Sequence, residues 1–211
     1  MTCNCSCSFS APRPYGPIYC IGSETWELRV FVALIDKEFQ KQIQVIINRC
    51  FEQRFNIIFL YTEDPAWKSQ CDVVFCEHPT NTTCTAHQVN TDISRFITIA
   101  YPQRWQVQTV DILHTIGHVL GLPCLPSDFW LQYPKPDTLP KQNAVHRDIF
   151  EDSVMRIHSD KRKSCWRQAP LLQDLCTFDV HTLRSLYGPK TSTGASVEDL
   201  GHFYVFTNTE N

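Results

Sequence analysis

Two histidines four residues apart constrain this chain more than any other feature. His114 and His118 lie in the stretch HTIGHVLGLPC, residues 114–124. Residues four apart lie on one face of a helix, about one turn from each other, so these two imidazoles can share one metal ion. Gly121 can take the left-handed conformation that ends a helix, and the chain can then bring Cys124 back toward the pair. Two imidazoles and a thiolate form a known zinc ligand set with an open fourth position, so the sequence predicts a zinc site.

The same stretch resembles the zinc signature H-E-x-x-H-x-x-G-x-x-H of the metzincin peptidases, and its context resembles the matrixins (matrix metalloproteinases). In this chain Thr115 stands where the family has its catalytic Glu, and Cys124 stands where it has its third His. The segment DSVM, residues 152–155, is similar to the family's Met-turn, which implies that Met155 is an apolar floor beneath the zinc. Further downstream FDVHTLRSLYGP, residues 178–189, is similar to the terminal matrixin helix and its exit.

This resemblance implies an α/β fold (α+β in some schemes), with a metzincin-like twisted mixed sheet and three main helices. The matching segments place one domain at residues 20–188. Residues 1–19 are expected to be a tail that contains Cys and Pro, and residues 125–150 an irregular insertion with four prolines. Residues 189–211 begin with Thr, Ser and Gly and are expected to form a linker or tail.

Hydrophobic periodicity predicts the elements of the domain. Alternating or continuous apolar runs rich in Val, Ile and Phe predict strands, and apolar residues that recur at three and four predict helices. The predicted strands are 26–35, 56–61, 71–75 and 95–105, the predicted helices are 38–55, 107–121 and 171–187, and Asp36 is the predicted cap of the first helix.

The structural ions of the matrixins are not expected here in their usual form. The segment RFITIAYPQRW, residues 95–105, resembles the strand that ends in H-F-D-x-D-E-x-W in that family. Thr98 replaces the His of the structural zinc, and the carboxylate positions hold Ala100, Tyr101 and Pro102. Calcium prefers carboxylate and other oxygen ligands, which these side chains do not supply, so structural calcium is expected to be absent.

A second group of zinc-competent residues lies within twelve positions of the chain. Cys76, His78, Cys84 and His87 could bind a second zinc ion that fixes this loop. Two alternatives remain open from the sequence. One is a disulfide among Cys71, Cys76 and Cys84, and the other is a set of unlinked residues.

Composition excludes some function classes. A net charge of -3 does not favour nucleic acid as a partner, and no apolar run approaches the roughly 18 residues of a membrane-spanning helix. The first twenty residues have neither the basic start nor the apolar block of a signal peptide. The lack of a signal peptide favours a reducing compartment, whereas eleven cysteines favour an oxidising one. The localisation therefore stays unknown.

Thr115 decides what the predicted site can catalyse, because a threonine hydroxyl cannot act as a general base at neutral pH. Losing that base typically costs on the order of 10²–10⁴ in rate. Asp111 shares the helix face of His114 and His118, but it is better placed to orient an imidazole than to replace the base.

Three hypotheses follow from these residues. The first is a pseudoprotease of matrixin type that binds zinc and a peptide or protein partner. The second is a weakly active zinc endopeptidase of the same type. The third is a cysteine-rich interaction module without a metal. The retained third ligand favours the first two, and the missing Glu favours the first.

Overall fold

The computed structural model describes the backbone of a central domain and most of its core side chains. The described residues are 19–21, 25–77, 85–90, 95–101, 107, 109–122, 153–155, 174–191 and 201–207, with the backbone alone at 19–21, 85–90 and 95–101. The predicted insertion at 125–150 lies outside them.

Seven strands in the described part of the chain form one mixed sheet. They are β1 (Tyr19–Ile21), β2 (Thr25–Ala33), β3 (Ile57–Thr62), β4 (Val73–Glu77), β5 (Thr85–Asn90), β6 (Arg95–Tyr101) and β7 (Tyr204–Val205). Their order is β5-β6-β4-β2-β3-β7, and β1 adds to β2 off this path. The inner strands β6, β4, β2 and β3 are mutually parallel, whereas β5 and β7 pair antiparallel at the two edges.

Three α-helices are present in the described ranges: α1 (Lys37–Ile47), α2 (Thr109–Val119) and α3 (Thr177–Tyr187). The predicted cap of α1 is confirmed, because the Asp36 carboxylate accepts a hydrogen bond from the backbone N–H of Phe39 at 3.0 Å. A short π-helical turn (Asn48–Glu52) continues α1, and a 3₁₀ helix (Pro65–Gln70) leads into β4. Each α-helix has 11 residues, and no described helix is both long and apolar enough to span a bilayer.

The main core lies on one face of the sheet. Successive side chains of a strand point to opposite faces, so alternate residues of each strand reach this core. In β2 the even-numbered residues Leu28, Val30 and Val32 join the main core. This core includes residues of α1, α2 and α3, and α1 and α2 contact each other. The odd-numbered Phe31 instead joins a small cluster on the opposite face. The prediction of an α/β fold with a mixed sheet and three main helices is confirmed.

Several predicted element boundaries differ from those of the structure, and two of the differences have a clear local cause. The first long strand ends at Ala33 rather than residue 35, because the Glu77 carboxylate accepts the backbone N–H groups of Ile35 and Asp36 and the chain turns there. The last helix begins at Thr177 rather than residue 171, because the Cys176 sulfur caps it by accepting the Asp179 N–H.

The sequence expectation for residues 189–211 also needs correction. Tyr204 and Val205 form β7 and pair with Tyr61 and Leu60 of β3. Part of the expected linker or tail therefore belongs to the sheet. The boundaries at 20 and 188 otherwise stay predictions.

Candidate metal centre

The turn that ends α2 places the carbonyl of Leu122 near His118. Gly121 has φ +87°, the left-handed conformation expected for it. The N–H of Leu122 donates to the carbonyl of Gly117 at 2.8 Å, and the N–H of Gly121 donates to that of His118 at 2.9 Å. This pair of bonds is the Schellman motif, and it turns the carbonyl of Leu122 back toward the helix.

Both histidines use Nδ1 to donate to a backbone carbonyl. His114 Nδ1 lies 2.7 Å from the Val154 oxygen, and His118 Nδ1 lies 3.0 Å from the Leu122 oxygen. Because a carbonyl oxygen only accepts, each Nδ1 carries the hydrogen in the neutral ring. In each neutral ring Nε2 is then a hydrogen-bond and metal acceptor.

The two Nε2 atoms face each other at 3.1 Å. Two acceptor lone pairs directed at one point are the arrangement that a shared cation would stabilise. Zinc–nitrogen bonds of about 2.0–2.1 Å at a tetrahedral angle place two imidazole nitrogens roughly 3.3 Å apart. The observed separation is close to that value, and Nδ1 bonds of this kind are typical of metal-bound histidines. The residues present therefore fit a shared metal ion.

Burial keeps both imidazoles neutral. It lowers the pKa of His114, and it lowers the pKa of His118 to about 3, with the neighbouring His114 adding to the effect. Their side chains are buried in helix α2, where a proton shared between the rings would bring an uncompensated charge into the core. Neutral imidazole is the form that binds metals.

Thr115 follows His114 in the position that the resemblance assigns to a general base. It is buried, and its hydroxyl lies 2.9 Å from the carbonyl of Asp111 and 3.0 Å from that of Ile112. A hydroxyl that donates to carbonyls of its own helix is committed to the backbone.

Asp111 lies in the first turn of α2 and is half-buried. A carboxylate there is favourably placed in the field of the helix dipole. The helix dipole is therefore enough to explain why an acidic residue occurs at this position. Its assignment as a low-probability substitute base stays a prediction.

Met155 packs directly against the site helix. A Cβ added at Gly117 would lie 2.5 Å from the Met155 sulfur, so the absence of a side chain at Gly117 lets the methionine approach the backbone. Met155 is also fully buried. These contacts place it under the turn of α2 that separates the two histidines.

Asp179, a residue that the sequence reasoning missed, fixes the segment that orients His114. Its carboxylate is fully buried and accepts hydrogen bonds from the Ser153 hydroxyl at 2.6 Å and the Val154 N–H at 3.1 Å. Ser153 Oγ in turn accepts the N–H of Met155 at 3.1 Å. Since the Val154 carbonyl accepts from His114, α3 positions this imidazole through Asp179 and the intervening turn.

A second contact from α3 supports the other end of the site. The Tyr187 hydroxyl donates to the carbonyl of Leu120 at 2.8 Å, which gives the end of α2 a partner for one of its terminal carbonyls. Trp26 packs edge-on against Tyr187 with ring centroids 5.9 Å apart. The only sequence signal for Asp179 and Tyr187 was their place in the segment that resembles the last matrixin helix.

The remaining predicted ligands are only partly covered by the structure. Cys124, His78 and Cys84 lie outside the described residues. Cys76 is half-buried at the end of β4, where burial raises the pKa of its thiol. His87 lies on β5 opposite Thr98 of β6. No group of three or more metal-competent side chains occurs within the residues described, so both predicted metal sites stay predictions.

The structure bears on the disulfide among Cys71, Cys76 and Cys84 that the sequence left open. The Cys71 thiol donates to the carbonyl of Trp67 at 3.4 Å and forms no disulfide. Burial raises the pKa of this thiol to about 12. Cys71 is thus a reduced core residue here rather than half of the predicted disulfide.

Comparisons with known proteins identify a similar structure but no family. No family model matches the chain, and no curated protein matches it. Among solved structures, the structure of myroilysin matches 81% of this chain and 98% of that chain, at 11% sequence identity and a TM-score of 0.47.

Proposed function

We propose that this chain is a zinc-binding protein with a metzincin-like metallopeptidase fold, impaired in catalysis, that acts by binding a peptide or protein partner. The observation that carries the proposal is the pair of Nε2 atoms 3.1 Å apart, each with its Nδ1 held by a carbonyl. Cys124 supplies the third ligand in this proposal. A zinc ion so held would supply Lewis acidity at the open coordination position.

The same geometry supports the loss of peptidase activity. Thr115 has no carboxylate to take up a proton, and its hydroxyl is bonded to carbonyls of α2. Removing a general base typically lowers the rate by about 10²–10⁴. In this proposal the site keeps the metal ion but lacks the proton acceptor that hydrolysis needs.

Zinc binding is tested by metal analysis and titration calorimetry on the purified full chain. We expect one tightly bound zinc per chain, and a loss of affinity of more than about 100-fold in His114→Ala and in His118→Ala. This exceeds the usual effect of changing a residue that only orients a metal ligand. Cys124→Ser should weaken binding as well. His181→Ala is the matched control, because His181 is exposed on α3. A wild-type chain that binds no zinc, or a His118→Ala variant that binds it unchanged, contradicts the proposal.

Catalytic impairment is tested with a broad library of quenched peptides, with and without a chelator. The wild type should be silent, and Thr115→Glu should gain cleavage that the chelator stops. Thr115→Gln is the control, because it has the size of Glu but cannot accept the proton. Chelator-sensitive cleavage by the wild type at ordinary peptidase rates would instead favour an active endopeptidase.

A further inference from the structure

Residue 115 determines which charge lies beside the point that the two histidines share. A helix turns by about 100° per residue, so position 115 lies about 100° from 114 and about 60° from 118 around α2. Its side chain therefore borders the point toward which the two Nε2 atoms are directed. Peptidases with the H-E-x-x-H signature have a carboxylate at this position. In this chain the position holds Thr115, and residues 112–122 contain no Asp or Glu.

The Thr115 side chain leaves this position without a charge. Its hydroxyl lies 2.9 Å from the carbonyl of Asp111 and 3.0 Å from that of Ile112, so its hydrogen is directed to the helix backbone. The other branch of its Cβ is a methyl group. Thr115 therefore brings neither a negative charge nor an available hydrogen to a ligand at the shared point.

The hydrogen bonds that orient the imidazoles also end on uncharged groups. His114 Nδ1 donates to the Val154 carbonyl, and His118 Nδ1 donates to the Leu122 carbonyl. A metal-bound histidine commonly donates to either a carboxylate or a carbonyl, and only the carboxylate brings a full negative charge. Both Nδ1 bonds therefore fix the rings without adding such a charge.

Two carboxylates elsewhere in the described domain are placed differently from a side chain at position 115. The Asp179 oxygens accept from the Ser153 hydroxyl at 2.6 Å and from the Val154 N–H at 3.1 Å, so residue 154 separates this carboxylate from His114. Asp111 lies one helical turn before His114, whereas position 115 lies between the two histidines along α2. Neither carboxylate therefore stands where the H-E-x-x-H signature has its Glu.

This distribution of charge favours an anion at the open coordination position. In the proposed function, two neutral imidazoles and the Cys124 thiolate leave a divalent zinc ion with one unit of positive charge. His114, Thr115 and His118 are buried, and an uncompensated charge in buried surroundings is costly. An anionic ligand removes this cost, and a neutral ligand does not.

We propose that Thr115 makes the open coordination position selective for a single carboxylate, and that the peptide or protein partner binds through such a group. This inference rests on the zinc binding proposed above. A carboxylate suits the position better than a thiolate, because carboxyl groups are already ionised at neutral pH whereas a thiol must first lose its proton. A Glu at position 115 would place a second negative charge beside the ligand and repel it.

The first test compares two small probes of similar size on the zinc-loaded full chain. Titration calorimetry at neutral pH should show that acetate binds at least about tenfold more tightly than acetamide, because only acetate carries a charge. The zinc-free chain should bind neither probe, which separates the open position from cationic groups elsewhere on the surface.

Peptides extend this comparison to the partner. A short peptide with a free C-terminal carboxylate should bind more tightly than the same peptide with an amidated end. An amidated peptide with one internal Glu tests whether a side-chain carboxylate serves as well as the terminal one. Equal binding of all three peptides would overturn the inference.

The second test changes the charge at position 115. Thr115→Glu should lower the affinity for acetate by at least about tenfold while zinc stays bound. Thr115→Gln is the matched control, because it adds the same bulk without the charge, and it should not cause this loss. Metal analysis and circular dichroism of each variant show whether the zinc and the fold are retained.

The outcomes separate this inference from the proposed function. A chain that holds no zinc contradicts the proposed function, and the inference fails with it. A zinc-loaded wild type that binds acetate no better than acetamide overturns the inference alone, and this comparison does not depend on any variant. A folded, zinc-loaded Thr115→Glu variant with unchanged affinity for acetate overturns it as well.

Discussion

The metal-site region and the outer edge of β3 are both assembled from distant parts of the chain, yet they treat polar groups differently. At the edge, donors meet acceptors: the Phe59 N–H meets the Glu52 carboxylate, and the Tyr204 hydroxyl accepts from two glutamines. At the histidine site, both Nδ1 atoms donate to carbonyls, and the two Nε2 acceptors face each other at 3.1 Å.

This difference distinguishes a polar network that only stabilises the fold from one that could hold a ligand. A buried network that serves only stability matches each donor with an acceptor, because an unmatched buried group is costly. The metal-site network instead uses its hydrogen bonds to hold two lone pairs toward one point. That arrangement is the one a shared cation would need.

The largest expected effect comes from removing the distant anchor of the site. Asp179→Ala leaves the Ser153 hydroxyl and the Val154 N–H without their buried acceptor, so we expect a loss of about 3–5 kcal/mol in the free energy of unfolding. Zinc affinity should fall by about 10–100-fold. Urea unfolding and zinc titration measure the two effects. Asp174→Ala, which removes a half-exposed ion pair with Arg54, is the control and should cost less than about 1 kcal/mol.

The second prediction concerns the pH dependence of the metal-free protein. The pKa of His118 is lowered from 6.5 to about 3, so the unfolded chain binds more protons than the folded one between these values. Stability due to this group is complete above pH 6.5 and is lost as pH falls toward 3, with on the order of 3 kcal/mol lost by pH 4. Urea unfolding of the wild type and of His118→Gln from pH 7.5 to 4 should show a steeper fall for the wild type. If stability falls equally with pH in the wild type and in His118→Gln, His118 is not buried in its neutral form.

A smaller effect is expected where Met155 approaches the helix. Gly117→Ala places a Cβ against the Met155 sulfur, and overpacking of this kind costs about 1–3 kcal/mol. The same substitution in a Met155→Ala background should cost much less, because the obstructing side chain is gone. A double-mutant cycle on the free energy of unfolding measures the coupling, and additive effects would show that the two residues do not press on each other.

The smallest effect belongs to the edge. Tyr204→Phe removes the acceptor of Gln40 and Gln44 but keeps the ring on Tyr61, so we expect a loss of about 1 kcal/mol and no change in zinc affinity. Gln42→Ala, an exposed change on the same helix, should leave stability unchanged. A drop in zinc affinity with Tyr204→Phe would show that edge and site are coupled, against the comparison drawn above.

Local signals predicted the elements well where one residue decides the outcome. Asp36 caps α1, and Gly121 ends α2 in the left-handed conformation, because both effects act within a few residues of chain. The helical spacing of His114 and His118 likewise implied adjacent imidazoles, since a helix fixes that geometry by itself. The start of α3 was missed because sulfur is an unusual cap and Cys176 gives no strong sequence signal.

The sequence by itself determined the α/β class, the histidine pair and the threonine that follows the first histidine, because each depends on residue type and short spacing. Only the tertiary structure decided that the Val154 carbonyl holds Nδ1 of His114, that Asp179 anchors the turn that contains Val154, and that residues 201–207 close the sheet. These features join residues 25 to 164 positions apart. Contacts of such range depend on how strands and helices pack, and no local pattern encodes them.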